Sequence, residues 1–501
     1  MNVSELLAGT PLLSEIEPKL AQAEVTGIDY DSRRVGPGYL FFAFPGAKVD
    51  GREFAAQAVA KGAIAVVNEM DAPAEFAAPW IRVEHGRHAL ALAARTFYGK
   101  LDEKLGLTGI TGTNGKTTTS YLIDSILRAA GKTTALVGTI EYHLGPKVLP
   151  AANTTPESLV LHRLLAELDG MGGTHATMEI SSHALKLGRV YGIGFHTVVL
   201  TNLTRDHLDF HHTMEDYFAA KRLLFTGSGG PAPRYCVINR DDEWGRKLTG
   251  LGGDCEVLWY GLGPDARLRA RHIRSGLDGL RFEVVFDKLK FEIRSALIGK
   301  INVYNILAAC GAGMTYQLAP EVIQRGIADC AGVPGRFERV DEGQPFAVVV
   351  DYSHTDDALK NAIAVARTLE PKRVITVFGC GGDRDRTKRP IMGQVAAEGS
   401  DLVIVTSDNP RSEDPLQIIN DVMVGARRSD TRTIVEPDRG AAIRKAIEEA
   451  RAGDIVLLAG KGHETYQIFR DKTIHFDDRE VAREALRAFG FRKKDGGGRA
   501  S

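Results

Sequence analysis

The stretch LTGITGTNGKTTTSYLIDSIL, Leu107 to Leu127, constrains the fold more than any other part of the chain. LTGI reads as the end of a buried strand, and SYLIDSIL carries apolar residues at helical spacing. Between them Gly112, Thr113, Asn114, Gly115, Lys116, Thr117 and Thr118 make a glycine-lysine-threonine turn. A turn so placed aims successive backbone N–H groups, the positive end of a helix and one ammonium at a phosphate chain. The common pattern is G-x-x-x-x-G-K-[ST]. Ile110 stands where its first glycine would fall, so the match is to a shorter G-T-N-G-K-T form. The same letters also suit a chance glycine turn capping a helix. The strand before and the helix after are what a phosphate loop requires, and they predict a bound nucleotide phosphate.

At 501 residues the chain is too long for a single core, and its length suggests about three domains. Hydrophobic residues at 44% and charged residues at 25% are ordinary for a soluble globular enzyme. A net charge of -1 supplies no global field toward nucleic acid or an anionic membrane, so neither is expected as a partner. Cys236, Cys255, Cys310, Cys330 and Cys380 are scattered without a CxxC pair, which argues against a disulfide framework or a zinc site and suits a reducing cytosol. MNVSELLAGT lacks a basic region followed by an apolar core, and no apolar run approaches the roughly 18 residues of a membrane span. A soluble cytoplasmic protein is expected.

The chain reads as α/β throughout, in three parts. Residues 1–103 alternate short apolar runs with turns, as in TGIDYDSRRVGPGYLFFAFPG and AIAVVNE, with AAQAVAKGA helical, and suggest a small α/β domain. Residues 104–335 begin with the phosphate loop and continue through strand-like ATMEIS and TVVLTNL, the alternation of a helix-covered parallel sheet. Pro334 and Gly335 close this part in VPGRFERV. Residues 336–501 are the most regular and Rossmann-like: FAVVVDYSH, RVITVFGCGGDRD, DLVIVTSDNPR and DIVLLAGKGHE are each an apolar strand followed by polar residues. In a doubly wound sheet such groups converge on a crevice beyond the carboxyl ends of the strands. The tail FRKKDGGGRAS has the composition of a disordered segment.

Several residues suit chemistry. Glu179 ends the strand ATMEIS, and His207 lies in RDHLDFHHTMEDYFAAKRLLF. Together they suit a Mg²⁺ beside a nucleotide, although oxygen ligands usually dominate around that ion. Singly, each histidine reads equally as a hydrogen-bonded surface residue. Lys221, on the helix-like AAKRLLF, reads as a solvated lysine, and an unmodified ammonium cannot ligate a cation. Carbamylation would make it an anionic two-oxygen group that can. The last part adds Arg336, Asp351, His354, Lys388, Arg389, Asn409, Arg411, Lys461, His463 and Glu464. Arginine reads carboxylates well, so Arg384, Asn409 and Arg411, with Glu464 as an anion, suit a zwitterionic amino acid. Each also reads as a strand-end surface charge.

GTNGKTTT, NTTPES, MEISSHALKLGRV, TNLTRDHLDFHHTMEDYFAAK, GKINVYN, PGRFERV, DYSHT, GCGGDRD, DNPRSEDP and AGKGHET occur in this order over most of the chain. The ordered set closely resembles the Mur ligases of bacterial cell-wall synthesis. The resemblance implies an ATP-dependent amide-bond ligase: ATP phosphorylates a D-glutamyl side-chain carboxylate, and an amine displaces the phosphate through a tetrahedral intermediate. It implies three domains: an N-terminal UDP-substrate-binding one, a central ATP-binding one and a C-terminal amino-acid-binding one. The implied substrates are ATP, UDP-N-acetylmuramoyl-L-alanyl-D-glutamate and meso-diaminopimelate, with Mg²⁺ as cofactor and a monomer as the working form. Residue by residue, Gly112 to Thr118, Asn302, Asn305, Arg336, Asp351 and His354 match nucleotide contacts. Lys116, Glu179, His207 and Lys221 match the catalytic set, and Thr117, Glu179, His207 and carbamylated Lys221 the metal set. Ser32, Arg33, Asn153, Thr154, Thr155, Ser181 and Arg189 match contacts to the UDP-linked peptide. Arg384, Asp408, Asn409, Arg411, Gly460 and Glu464 match the diaminopimelate site, Arg384 and Arg411 on the distal carboxylate and Glu464 near the distal amine.

Leu187 stands where many relatives have a glutamine contact, His212 replaces the glycine of HGTM, and DYSHT replaces DYAHT. Two other readings remain at this point. A folate polyglutamylating ligase shares the phosphate loop but should lack the uridine-type N-terminal part and DNPR. An inactive nucleotide-binding scaffold would not need Lys116, Glu179, His207 and Lys221 intact.

Overall fold

In a computed structural model, residues 1–46, 49–248, 251 and 255–492 are described. They divide into two compact units: Met1–Arg271 with Val284–Phe291 and Tyr304–Asp329, and His272–Glu283 with Glu292–Val303 and Cys330–Ser501. The polar tail predicted to be disordered lies, from residue 493 onward, outside the described residues.

The first unit holds two sheets. Strands β1 (Gly27–Asp29), β2 (Tyr39–Phe42), β3 (Ala63–Asn68) and β4 (Trp80–Arg82) run parallel in that spatial order. Their apolar side chains Leu40, Phe42 and Val67 are covered by Ala89, Leu90, Ala93 and Ala94 of the helix Gly86–Phe97. Arg163, on the helix Ser158–Gly170, reaches the buried Asp29 at the end of β1, 2.8 Å away, and so ties this sheet to the next one.

The second sheet is built from β5 (Gly106–Thr111), β6 (Thr134–Val137), β7 (Glu141–Leu144), β8 (Lys147–Pro150), β9 (His175–Glu179), β10 (Thr197–Leu200), β11 (Tyr235–Asn239) and β12 (Glu256–Gly261). Their order is β12-β11-β10-β5-β9-β6-β7-β8, parallel as far as β6 and antiparallel over β7 and β8. The parallel strands are near-continuous apolar runs because helices cover both faces. β5 lies between β9 and β10: the chain passes from β5 to the side of β9 and β6 and, after β9, crosses to β10 on the other side. That makes its carboxyl end a topological switch point, where a crevice opens. A meander, β13 (Leu268–Gly276), β14 (Gly279–Phe286) and β15 (Leu289–Ser295), begins by pairing β13 with β12.

The second unit carries β16 (Glu338–Val340), β17 (Ala347–Asp351), β18 (Val374–Phe378), β19 (Leu402–Val405), β20 (Arg432–Val435) and β21 (Ile455–Ala459), then a hairpin of β22 (Tyr466–Ile468) and β23 (Thr473–His475). The sheet order is β16-β17-β21-β18-β19-β20, with only β16 antiparallel. Helices Asp356–Arg367, Lys388–Gly399 and Pro415–Ala426 cover one face. Arg439–Glu449 and Asp478–Ala488 cover the other. β21 returns between β17 and β18, so the turns after β17, β18, β19 and β21 gather at one end. No helix of the described residues is long and apolar enough to cross a membrane.

Candidate active site

The turn after β5 closes as a phosphate loop does. Gly112 (φ +149°) and Gly115 (φ +87°) adopt backbone that side-chain-bearing residues avoid, and a Cβ on either would meet Thr201 or Asn305 respectively. Gly115 caps the helix Lys116–Ala129, whose first turn presents Lys116, Thr117 and Thr118. The Lys116 ammonium donates to the carbonyls of Gly112 and Thr113, both at 2.9 Å, and so arches over the loop. Asn202, just after β10, accepts from Asn114 N at 3.0 Å and donates from its amide to Asn114 O at 3.0 Å. Asn305 borders Gly115 and accepts from Thr119 Oγ1 at 3.4 Å.

Register brings the partners alongside, since Ile110 is level with Glu179 and Thr111 with Leu200. The fully buried Glu179 carboxylate accepts from Thr117 Oγ1 at 2.9 Å, Thr139 N at 2.9 Å and Thr139 Oγ1 at 3.0 Å. Thr139 also shares a hydrogen bond with Thr154, at 3.1 Å. Thr155 Oγ1 donates to Glu179 O and accepts from Ser181 N, while Arg189 donates to Thr155 O at 2.9 Å and pairs with Glu157 at 3.0 Å. Asn153 contacts the Tyr142 hydroxyl through its backbone. The residues that the resemblance assigns to the UDP-linked peptide, Asn153, Thr154, Thr155, Ser181 and Arg189, are therefore next to the phosphate loop, joined to it through Glu179. Ser32 and Arg33 lie apart from it, after β1: Ser32 donates to Gln57 at 2.7 Å, and the exposed Arg33 forks onto Asp31.

Lys221 differs most from its reading as a solvated lysine. It is 2% exposed, and its Nζ donates to Gly112 O at 2.9 Å beneath the loop and lies 4.6 Å from the centre of the Tyr217 ring. Burial, with the Lys116 charge adding to it, pushes its pKa well down. The spacing of Tyr217, Lys221 and Leu224 puts all three on the buried stripe of the helix Met214–Thr226, a signal already in the sequence. His207 has φ +53° and its ring lies edge-on to His183 at 5.0 Å. Burial depresses its pKa, opposed by Asp206 and reinforced by Lys116 and Lys221. Thr139, Asn202 and Tyr217 were not singled out from the sequence. Asn202 and Tyr217 lie inside the motif TNLTRDHLDFHHTMEDYFAAK, and Thr139 had no comparable mark.

In the second unit, Asp351 ends β17 and accepts from Phe337 N at 2.8 Å and from Ser353 Oγ; burial raises its pKa against these bonds. Arg336 lies over the Tyr352 ring at 5.0 Å, and His354 contacts Tyr352 O at 2.9 Å. Asn302 donates to Ile298 O at 2.7 Å. Beyond β19, Asp408 and Asn409 meet the turn after β21, which holds Gly460 (φ +114°) and Glu464. Asn409 is held in place by its neighbours: Nδ2 donates to Glu464 at 2.9 Å, and Oδ1 accepts from Lys461 at 3.1 Å and Ile468 N at 3.0 Å. Arg411 (φ +51°) donates to Gly382 O at 2.8 Å, while Arg384 is exposed. Arg389, grouped with these by sequence, is instead fully buried and paired with Glu413 and Asp421.

Three family models match the chain in succession: the Mur ligase family catalytic domain over residues 24–98, the Mur ligase middle domain over 110–313, and the Mur ligase glutamate ligase domain over 335–462. A UDP-N-acetylmuramoyl-L-alanyl-D-glutamate–2,6-diaminopimelate ligase of Solibacter usitatus is 67% identical over 491 residues, 98% of this chain and 99% of that one. The chain belongs to the Mur ligase family. A relative of the same description from Geobacillus kaustophilus is 45% identical over 93% of this chain and 96% of its own. Among solved structures, one of a UDP-N-acetylmuramoyl-L-alanyl-D-glutamate–2,6-diaminopimelate ligase superposes with a TM-score of 0.72 at 34% identity, covering 98% of this chain and 100% of that one. The MurF ligase of Thermotoga maritima in complex with ADP, at 19% identity and a TM-score of 0.60, shares the fold.

Proposed function

We propose that this Mur ligase joins meso-2,6-diaminopimelate to UDP-N-acetylmuramoyl-L-alanyl-D-glutamate at the expense of ATP, as a cytoplasmic monomer making a peptidoglycan precursor. One observation carries the reading: the phosphate loop, Glu179 and the buried Lys221 form one hydrogen-bonded site, continuous with residues that match contacts to the UDP-linked peptide. The 67% identical relative supports the same substrates.

A free carboxylate resists attack by an amine, so it must first be activated. One carboxylate oxygen of the D-glutamyl side chain attacks the γ-phosphorus of ATP, and ADP leaves. The diaminopimelate amine then adds to the acyl carbon, loses a proton and expels phosphate to give the amide. Phosphoryl transfer asks the protein mainly for positioning and charge neutralisation. Lys116 and the N–H groups of Gly112 to Thr118 supply both at the phosphates. The oxygen-rich pair of Glu179 carboxylate and Thr117 hydroxyl fits Mg²⁺ and would hold it, with His207 as the further ligand the resemblance implies. When bound, Mg²⁺ would neutralise phosphate charge. Lys221 fits that ion only once modified. Its depressed pKa favours the free amine, whose nitrogen can add to CO2 with loss of a proton, leaving a carbamate anion in place of a cation.

The test is a panel of amino acids assayed for ATP-dependent ligation to the UDP-linked dipeptide, with ADP and phosphate measured. Diaminopimelate should be the preferred acceptor. Lys116→Ala, which removes charge stabilisation in the transfer step, should lower kcat/KM by about a hundredfold or more. An enzyme that prefers another amino acid, or a variant with an unchanged rate, defeats the reading.

A further inference from the structure

Lys461, in the turn after β21, is fully buried. Its Nζ lies 3.1 Å from Asn409 Oδ1, 3.2 Å from Glu464 Oε2 and 3.5 Å from Asp408 Oδ1. Its side chain is 0% exposed, against 9% for Asp408 and 15% for Glu464. The buried Asp408 Oδ1 accepts no hydrogen bond, so that carboxylate is incompletely satisfied as it stands. Of the neighbouring charges, the buried Arg439 is neutralised by its own fork onto Asp478, at 2.7 and 2.6 Å. The cluster thus sets one cation between two carboxylates and keeps a net charge of one negative.

That remainder matters for an acceptor whose distal carbon bears both an ammonium and a carboxylate. A cluster of one net negative charge welcomes the ammonium without strongly opposing the carboxylate next to it, which Arg411 would attract. Without Lys461, two uncompensated carboxylates would repel the distal carboxylate while still attracting an ammonium. We propose that Lys461 is the specificity-determining counter-charge of this cluster: it fixes Asn409 and Glu464 in place and makes the site tolerant of a distal carboxylate, so that diaminopimelate is chosen over lysine. This rests on the diaminopimelate reading above. Lys461 acts through Asp408, Asn409 and Glu464 and is a positioning residue.

The experiment compares wild type with Lys461→Gln, which keeps a donor and loses the charge, and Lys461→Met, which loses both. Folding is followed by circular dichroism and ADP affinity. In both variants the ratio of kcat/KM for diaminopimelate to that for L-lysine should fall by about tenfold or more, because the discrimination comes from charge. KM for diaminopimelate should rise while KM for ATP stays within about twofold, since only the amino-acid site loses a contact. Should Lys461→Met unfold, Lys461→Gln carries the test alone. A Lys461→Gln variant whose ratio is unchanged overturns the proposal and leaves Lys461 a packing residue. A wild type that does not use diaminopimelate instead defeats the substrate reading, a separate outcome seen before any variant is made.

Discussion

Two buried lysines, Lys221 in the first unit and Lys461 in the second, share a side chain and a degree of burial and differ in everything around them. Lys221 meets a carbonyl, a hydroxyl and a ring face, with another lysine close enough to repel its charge. Lys461 meets two carboxylates and an amide oxygen. Burying an ammonium is costly unless it is paired. The first environment drives the side chain toward a neutral amine, a form with a reactive lone pair. The second offsets desolvation with opposite charge and keeps the lysine as a structural cation. Surroundings decide whether a buried lysine is a reagent or a tie.

The comparison breaks most clearly in stability. Lys461→Met leaves Asp408 and Glu464 facing each other without a cation, and removing one partner of a buried ion pair costs about 3–5 kcal/mol. Lys221→Met exchanges an amine that donates to Gly112 O for an apolar chain of similar volume and should cost only about 0.5–1.5 kcal/mol, the net worth of one hydrogen bond. Urea unfolding of both variants without ligands measures the difference. Equal losses would mean that Lys221 is charged and paired in the folded protein.

Activity should invert that order. Lys221→Ala should lower kcat/KM by roughly ten- to a hundredfold, the effect of losing a group that orients a bound metal. Acetate or formate should restore part of the rate by supplying the missing carboxylate oxygens. Full activity in the alanine variant would remove the carbamate from the mechanism.

The sequence made one of these lysines far more legible than the other. Phosphate-loop geometry is local, so Gly112 to Thr118 could be read directly and the flanking strand and helix fell where periodicity put them. The strand-end polar groups of the second unit were equally plain, because each follows a continuous apolar run. Lys221 had its signal in the helical spacing with Tyr217 and Leu224, yet one lysine on an amphipathic helix ordinarily lies at the edge of the stripe. The engagement of Asn409 was not readable, since its partners Lys461 and Glu464 are 52 and 55 residues away on another strand's turn. Nor was the burial of Arg389, which depends on Glu413 and Asp421 from the following connection and helix. Local backbone chemistry can be read ahead of the fold, whereas pairing between strand ends needs the sheet order.

The smallest expected effect concerns Arg411, the counterpart of Lys461 in choosing the acceptor. Lys461 limits repulsion of a distal carboxylate, whereas Arg411 would attract it. The Arg411 backbone sits in the left-handed region at φ +51° and is held there by its N–H on Ile468 O at 3.0 Å. One of its guanidinium nitrogens is engaged by Gly382 O, and a planar fork has further N–H groups with which to bond a carboxylate. The distal carbon of lysine would offer that fork nothing, while a distal carboxylate would satisfy it. Arg411→Ala should therefore lower kcat/KM for diaminopimelate by about tenfold and leave that for L-lysine nearly unchanged, a loss of preference through attraction alone. Lys461→Gln, by contrast, should also raise the rate with lysine relative to diaminopimelate, because an ammonium gains from the extra negative charge. The measurement is kcat/KM for both amino acids in both variants at one ionic strength. An Arg411→Ala enzyme that keeps its full preference would show that the arginine is not the reader and would leave the counter-charge at Lys461 as the device that discriminates.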